Sequence, residues 1–379
     1  MYISSWPGLA LSDLIPGRSV GSPPYPFSAT NRNSFCVARS GIYHLFRTLG
    51  FKPGDTVLVP DYHSGNEVAA IRAAGATIVF YPIRRNLQPD LDELSRLAGQ
   101  GHRVIYVIHY LGWPQPMKEI LALCRQHGSI LVEDCALSLF SELDSKPLGA
   151  FGDYSVFCLY KTLPVPNGGM LVRNNNALPE LAGLEMEPCP RISAAGRSAE
   201  LALETVRSRW NRFGKALFNI KQGVGRRLRA ARVRQVPVGD IGWDIANVNI
   251  GMSPISETII RGSDHEHIRQ IRRDNFALLA SRLTGRVTML RGDLPVGACP
   301  LFFPILVRDK HAAAEALKQR GIQAVEFWND PQLNTNIGLD ARYLRAHVLE
   351  LPIHQGVTPL GVEYMAEQVR QLKTEFAPC

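Results

Sequence analysis

The chain has 379 residues, 45% hydrophobic and 20% charged, long enough for a large domain with a full core and a smaller second one. The opening Met1-Tyr2-Ile3-Ser4-Ser5-Trp6-Pro7 lacks the basic and apolar regions of a signal peptide, and no run nears the ~18 apolar residues of a membrane span. The formal charge of +8 is local: residues 191–234 hold twelve basic residues against Glu200 and Glu204, so that segment alone carries +10 and the remainder about −2.

In chain order, residues 1–30 are rich in Pro, Gly and Ser and read as an extended N-terminal arm. Helices and strands then alternate. Helices are predicted over 40–49, 67–74, 90–98 and 117–126, and strands over 56–59, 77–80, 103–108 and 129–132. Short apolar strands separated by helices of about ten residues imply βαβ units and a largely parallel sheet. Ligands of such sheets collect at the carboxyl ends of the strands, where Asp61, His109 and Asp134 stand. Residues 31–260 read as one large domain with a basic helical insertion at about 191–235. Residues 261–379 read as a connecting helix, 263–283, leading into a small C-terminal domain with strands at 299–307 and around 348–349 and a last helix over 361–376. The fold class expected is α/β, a large mostly parallel sheet flanked by helices plus a smaller α/β domain. The cysteines at 36, 124, 135, 158, 189, 299 and 379 are odd in number and contain no C-x-x-C pair, which suits reduced thiols in a cytoplasmic protein.

Lys161 closes the apolar segment Tyr154-Ser155-Val156-Phe157-Cys158-Leu159-Tyr160, and Asp134 closes Ile130-Leu131-Val132-Glu133. An amine and a carboxylate carried to the ends of buried strands suit a pyridoxal phosphate enzyme: the lysine forms the Schiff base and the carboxylate pairs with the ring nitrogen. Ser40-Gly41-Ile42 begins a helix, whose open N–H groups suit a phosphate. Pro60-Asp61-Tyr62-His63-Ser64-Gly65 follows a strand and offers flat side chains to a ring. No metal site is expected; His265 and His267, two apart on a predicted helix, face away from each other and read as surface residues.

The order of these pieces resembles the DegT/StrS family of pyridoxal phosphate-dependent, fold-type-I sugar aminotransferases. The similar stretches are Phe51-Lys52-Pro53-Gly54-Asp55, Val107-Ile108-His109-Tyr110-Leu111-Gly112, Glu133-Asp134-Cys135-Ala136, Gly149-Ala150-Phe151-Gly152-Asp153 with Lys161 and Gly168-Gly169-Met170, then Asn249-Ile250-Gly251-Met252-Ser253 and Leu351-Pro352-Ile353-His354. The resemblance implies Lys161 as Schiff-base lysine and general base, and Asp134 at the pyridine nitrogen. It implies Ser40, Gly41 and Ile42 at the phosphate, and a homodimer with shared sites in which Asn249 reaches the neighbouring phosphate. It also implies an amino donor, glutamate, and a keto-sugar acceptor, nucleotide-linked, in surface-polysaccharide or secondary-metabolite biosynthesis. Where the family has Gln, this chain has Leu137, and Gly251 replaces its Arg. The stacking aromatic aligns with Ser64, so stacking is assigned to His63. The phosphate serine aligns with Val156, so Ser155, one place earlier, takes that role. Another fold-type-I reaction on a non-sugar substrate, or a cofactor-binding scaffold or regulator without turnover, remains open.

In the basic segment, Leu203, Val206, Trp210, Phe213, Leu217 and Ile220 alternate with arginines at nearly helical spacing. One reading is a helix packed on the body or on a partner subunit. Another is an anionic-membrane surface over 195–235, which would make the protein peripheral at the membrane. Nucleic-acid binding is not expected, because no groove-reading or stacking motif accompanies the charge.

Overall fold

The computed structural model describes residues 1–14, 22–174, 178–210, 238–239, 243–328, 337–373 and 375–378. The basic segment beyond residue 210, and Cys379, lie outside the described residues. The strands, in chain order, are β1 (Arg32–Phe35), β2 (Thr56–Pro60), β3 (Thr77–Tyr81), β4 (Val104–Ile108), β5 (Ile130–Asp134), the short hairpin β6 (Glu142–Leu143) and β7 (Lys146–Pro147), β8 (Tyr154–Cys158) and β9 (Gly169–Arg173). Seven of them form one sheet in the order β1-β9-β8-β5-β4-β2-β3. The five strands from β8 to β3 run parallel, while β9 and β1 close one edge antiparallel. Every residue of β4, β8 and β9 is buried, as expected of strands covered on both faces.

Helices α1 (Ala38–Leu49), α2 (Asn66–Ala73), α3 (Leu91–Ala98) and α4 (Met117–His127) provide the connections, near the predicted places. Helix α3 starts where Pro89-Asp90 suggests: the Asp90 carboxylate accepts from the Glu93 N–H at 3.2 Å. The hairpin β6–β7 has no counterpart among the expected elements. After β9 come α5 (Pro179–Ala182) and α6 (Arg191–Arg209), and then α7 (Pro254–Gly262) and α8 (His265–Leu283). The connecting helix begins two residues later than the spacing suggests. Asp264 caps it by accepting from the His267 N–H at 3.0 Å. His265 is buried, with its ring stacked on Phe27 at 5.1 Å; its place at the helix start turns it inward, which corrects the surface reading, while His267 is exposed.

A second, two-stranded antiparallel sheet pairs β10 (Phe302–Leu306) with β11 (Val348–Pro352). Helices α9 (Lys310–Gln319), α10 (Leu339–His347) and α11 (Pro359–Arg370) accompany it. The opening residues are pinned rather than free. Ile3 donates its N–H to Gly321 O at 2.8 Å and accepts from Gln323 N–H at 2.9 Å, and Leu9 donates to Leu201 O of α6 at 3.0 Å. Gly8 permits that approach, because a Cβ there would sit 2.3 Å from Thr205 Oγ1. The apolar side of α6, Ala194 and Leu201, is therefore covered in its described part. No helix among the described residues is long and apolar enough to cross a membrane.

Candidate active site

Strands β5 and β8 are neighbours, with Asp134 opposite Val156. Past the end of β8 a single turn, Leu159–Lys161, brings Lys161 level with the end of β5. Asp134 and Lys161 line one small cavity, about 50 Å³, at the carboxyl edge of the parallel strands. Both side chains are buried, Lys161 at 7% exposure. The Lys161 Nζ lies 5.5 Å from the centre of the Phe327 ring.

The Asp134 carboxylate is held from two sides. Tyr106 donates its hydroxyl to Oδ2 at 2.6 Å, and the Ala136 N–H donates to Oδ1 at 2.8 Å. Burial pushes its carboxyl above the usual range, against these two donors and the nearby Lys161 charge, which pull it down. A second carboxylate, Glu67, lines the same cavity at the first turn of α2. It accepts from the Ser64 N–H at 2.8 Å and from the Ser64 hydroxyl. Its carboxyl is raised by burial first and by Asp134 second. The Ser64-x-x-Glu67 spacing is a helix-start signal, so the charge was hidden in a capping pattern. Tyr106, on a fully apolar strand, and Trp328, far along the chain, carried no such local signal.

Helix α1 supplies the remaining wall. Val37 at its N-cap makes no side-chain cap, so no side chain closes the first turn. Ala38, Arg39 and Ile42 line the cavity. Ser40 is buried within the turn and gives its N–H to Val37 O at 3.2 Å, while Gly41 turns to Phe35 and Leu171. The open edge of α1 therefore lies about two residues earlier than Ser40-Gly41-Ile42. Gly169 allows β9 to pass under it: a Cβ there would be 2.3 Å from Ala38 N.

Besides Ser40 and Gly41, three expected site residues do not line this cavity. The His63 ring lies flat on Phe80, 5.1 Å away and tilted by 9°, and burial with the nearby Arg345 pushes its pKa down to about 3. The Ser155 hydroxyl is 2.9 Å from the Tyr25 hydroxyl. Successive strand side chains face opposite ways, so a serine one place before Val156 points to the other side of the sheet. Asn249 is exposed; its carbonyl accepts from Glu187 N–H at 2.7 Å and its side chain bonds His44.

Of the strand-end groups Asp61, His109 and Asp134, only Asp134 lines the cavity. Asp61 is an acceptor for the N–H groups of Ile83 and Gly338, at 2.9 and 2.8 Å. His109, Glu133 and Cys135 bring possible metal-ligand atoms within 4.8 Å of one another. The His109 and Glu133 atoms are already engaged. Gln115 N–H donates to His109 Nδ1, which leaves the proton on Nε2 to bond Glu133 at 3.0 Å. Glu133 also accepts from the N–H groups of Gly149, Phe151 and Gly152. This is a satisfied polar core rather than an ion site.

The residues present fit pyridoxal phosphate: a buried amine, a buried carboxylate fixed by Tyr106 and Ala136, and an uncapped helix start on a common cavity. The sequence model of the DegT/DnrJ/EryC1/StrS aminotransferase family matches residues 30–197. GDP-perosamine synthase of Vibrio cholerae is 32% identical over 151 residues, a match spanning 39% of this chain and 39% of that protein. Among solved structures, the Helicobacter pylori aminotransferase PseC, involved in pseudoaminic acid biosynthesis, superposes with a TM-score of 0.69 at 18% identity, covering 97% of this chain and 98% of that one. The putative sugar aminotransferase Spr1654 of Streptococcus pneumoniae, in its PMP form, does so with a TM-score of 0.69 at 16% identity over 97% and 98%. The sheet order and the flanking helices are those of the fold-type-I sugar aminotransferases. Over residues 30–197 the chain is similar to the DegT/DnrJ/EryC1/StrS aminotransferase family.

Proposed function

We propose that the chain is a pyridoxal phosphate-dependent aminotransferase that moves an amino group from an amino acid, glutamate, to a nucleotide-linked keto-sugar for polysaccharide or secondary-metabolite biosynthesis. The observation that carries this reading is the meeting of Lys161 and Asp134, from neighbouring parallel strands, in one cavity beside the start of α1. The cofactor, when bound, supplies the electron sink that makes a substrate C–H acidic. Lys161 Nζ would anchor it and then take and return the substrate proton, a task suited to an amine shielded from water. Asp134, fixed by Tyr106 and Ala136, would hold a cationic ring nitrogen; such a partner returns its carboxyl to the ionised form that burial opposes. The first turns of α1, Ala38 to Ile42 with Ser40 and Gly41, would hold the phosphate through N–H groups and the helix dipole. Leu137 and Ile108 keep the wall apolar.

The same reading includes a homodimer in which exposed Asn249 serves the partner's site, and a division of labour among segments 1–30, 31–260 and 261–379. It includes anionic-membrane contact through 195–235, which liposome flotation of a variant lacking those residues tests: flotation unaffected by the deletion removes it. The main test is chemical. Borohydride treatment of the cofactor-loaded protein should fix the cofactor to the peptide containing Lys161, and Lys161→Ala should carry none and transfer no amino group. Glutamate should convert the bound cofactor to its amine form, seen by absorbance. An unchanged spectrum favours a different fold-type-I reaction or a scaffold, and turnover by Lys161→Ala would sink the assignment.

A further inference from the structure

Trp328 lines the cavity of Lys161 and Asp134 and also the small apolar cavity behind it, a position it shares with Leu137. Its backbone has φ 58°, the left-handed region that a bulky residue adopts only when its surroundings impose it. The surroundings are two buried cations. Arg345 donates to Trp328 O at 2.9 Å and to His63 O at 2.6 Å. Lys310 donates to Phe327 O at 2.8 Å and to Arg345 O at 3.0 Å. Tyr62 meets the indole edge-on, with centroids 4.4 Å apart. A ring fixed so firmly still leaves its Nε1 buried with no acceptor among the described residues. A buried donor without a partner is costly, and a ligand that brings an acceptor removes the cost.

Around it the wall is polar at Arg39, Ser64, Asn66 and Glu67, and apolar at Ile108 and Leu137. Leu137 stands where the resemblance leads one to expect Gln, and the Phe327 ring lies 5.5 Å from Lys161 Nζ. An indole combines an apolar face, suited to the C–H side of a sugar ring, with a single N–H for one of its oxygens. We propose that Trp328 recognises the acceptor sugar, its ring packing on the sugar and its Nε1–H donating to a sugar oxygen. This inference rests on the aminotransferase reading and names a specificity contact in the same site.

Trp328→Phe keeps a ring and removes the N–H, whereas Trp328→Ala removes both. Each variant, loaded with pyridoxal phosphate and checked by thermal melting, is titrated calorimetrically with UDP-, GDP- and dTDP-linked hexoses. The wild type should bind at least one of them. Trp328→Phe should bind it roughly tenfold more weakly and Trp328→Ala more weakly still, a larger loss than either shows in the glutamate half-reaction. Unchanged sugar affinity in Trp328→Phe overturns the proposal. Equal losses in the glutamate and sugar arms also overturn it, since they mark a purely structural residue. If Trp328→Phe folds poorly, the intrinsic fluorescence of the wild type must change on sugar binding, and a silent titration overturns the proposal. No binding of any sugar by the wild type does so too, whereas failure of the wild type with glutamate sinks the aminotransferase reading itself.

Discussion

Glu133 and Asp134 are adjacent carboxylates with opposite duties. Glu133 accepts from three backbone N–H groups and from His109 with no exposure, while Asp134 keeps a face to the cavity. Glu133→Gln would set an amide N–H₂ against those donors and should cost ~3 kcal/mol in denaturant unfolding, without touching the cavity directly. His354 makes a pH prediction. Its Nε2 bonds Ser4 O at 2.9 Å and its Nδ1 accepts from Gly356 N–H, so the native ring is neutral, and burial pushes its pKa down to about 3. The contribution of His354 is fully present above the unfolded pKa of about 6.5. As pH falls below that value the unfolded chain takes up a proton that the native ring refuses, so stability drops by ~1.4 kcal/mol per pH unit until about 3. Urea unfolding at pH 7.5 and 5 should show His354→Gln losing this part of the wild-type slope. Lys161 and Asp134 were readable in sequence because each ends a strand, a property of local pattern. Ser155 and His63 do not line the cavity: Ser155 faces Tyr25 and His63 lies on Phe80. Glu67, Tyr106 and Trp328 reach the cavity through tertiary placement, which spacing does not encode.

Among the elements, the pair α1 and β9 would form the phosphate end of the proposed site. Their approach depends on Gly169, whose absent Cβ leaves room for Ala38 N and Val37 C. Gly169→Ala should shift the start of α1, cost ~1–3 kcal/mol of stability and reduce retention of pyridoxal phosphate on gel filtration, with the far-ultraviolet circular dichroism preserved. Full retention would show that α1 does not hold the phosphate. The parallel strands were readable because burial on both faces leaves continuous apolar runs such as Val104–Ile108. The starts of α1 and α8 were not. Val37 and Asp264 differ in capping chemistry, and α1 starts without the side-chain cap that marks a helix in sequence. The hairpin β6–β7, with two residues in each strand, is too short for any periodicity to show.

Across the whole molecule, the first nine residues act as a clasp. They bond Gly321 and Gln323 on one side and Leu201 on the other, and Ser4 O receives the His354 ring. Tyr2, Ile3 and Leu9 are buried in the process. Deleting residues 1–9 should lower the melting temperature by ~5–10 °C and expose α6 to limited proteolysis; an unchanged melting curve would show the clasp to be ornamental. The composition of this segment, rich in small and turn-forming residues, suggested an extended arm but not what it would grip. Its partners also set an order of events during synthesis. Ser4 leaves the ribosome 350 residues ahead of His354, so the C-terminal half of the clasp stays open until the C-terminal sheet exists. Its closure is a late step in maturation, and a nascent chain halted before residue 321 would leave Ile3 without its partners and open to whatever chaperone attends the ribosome exit.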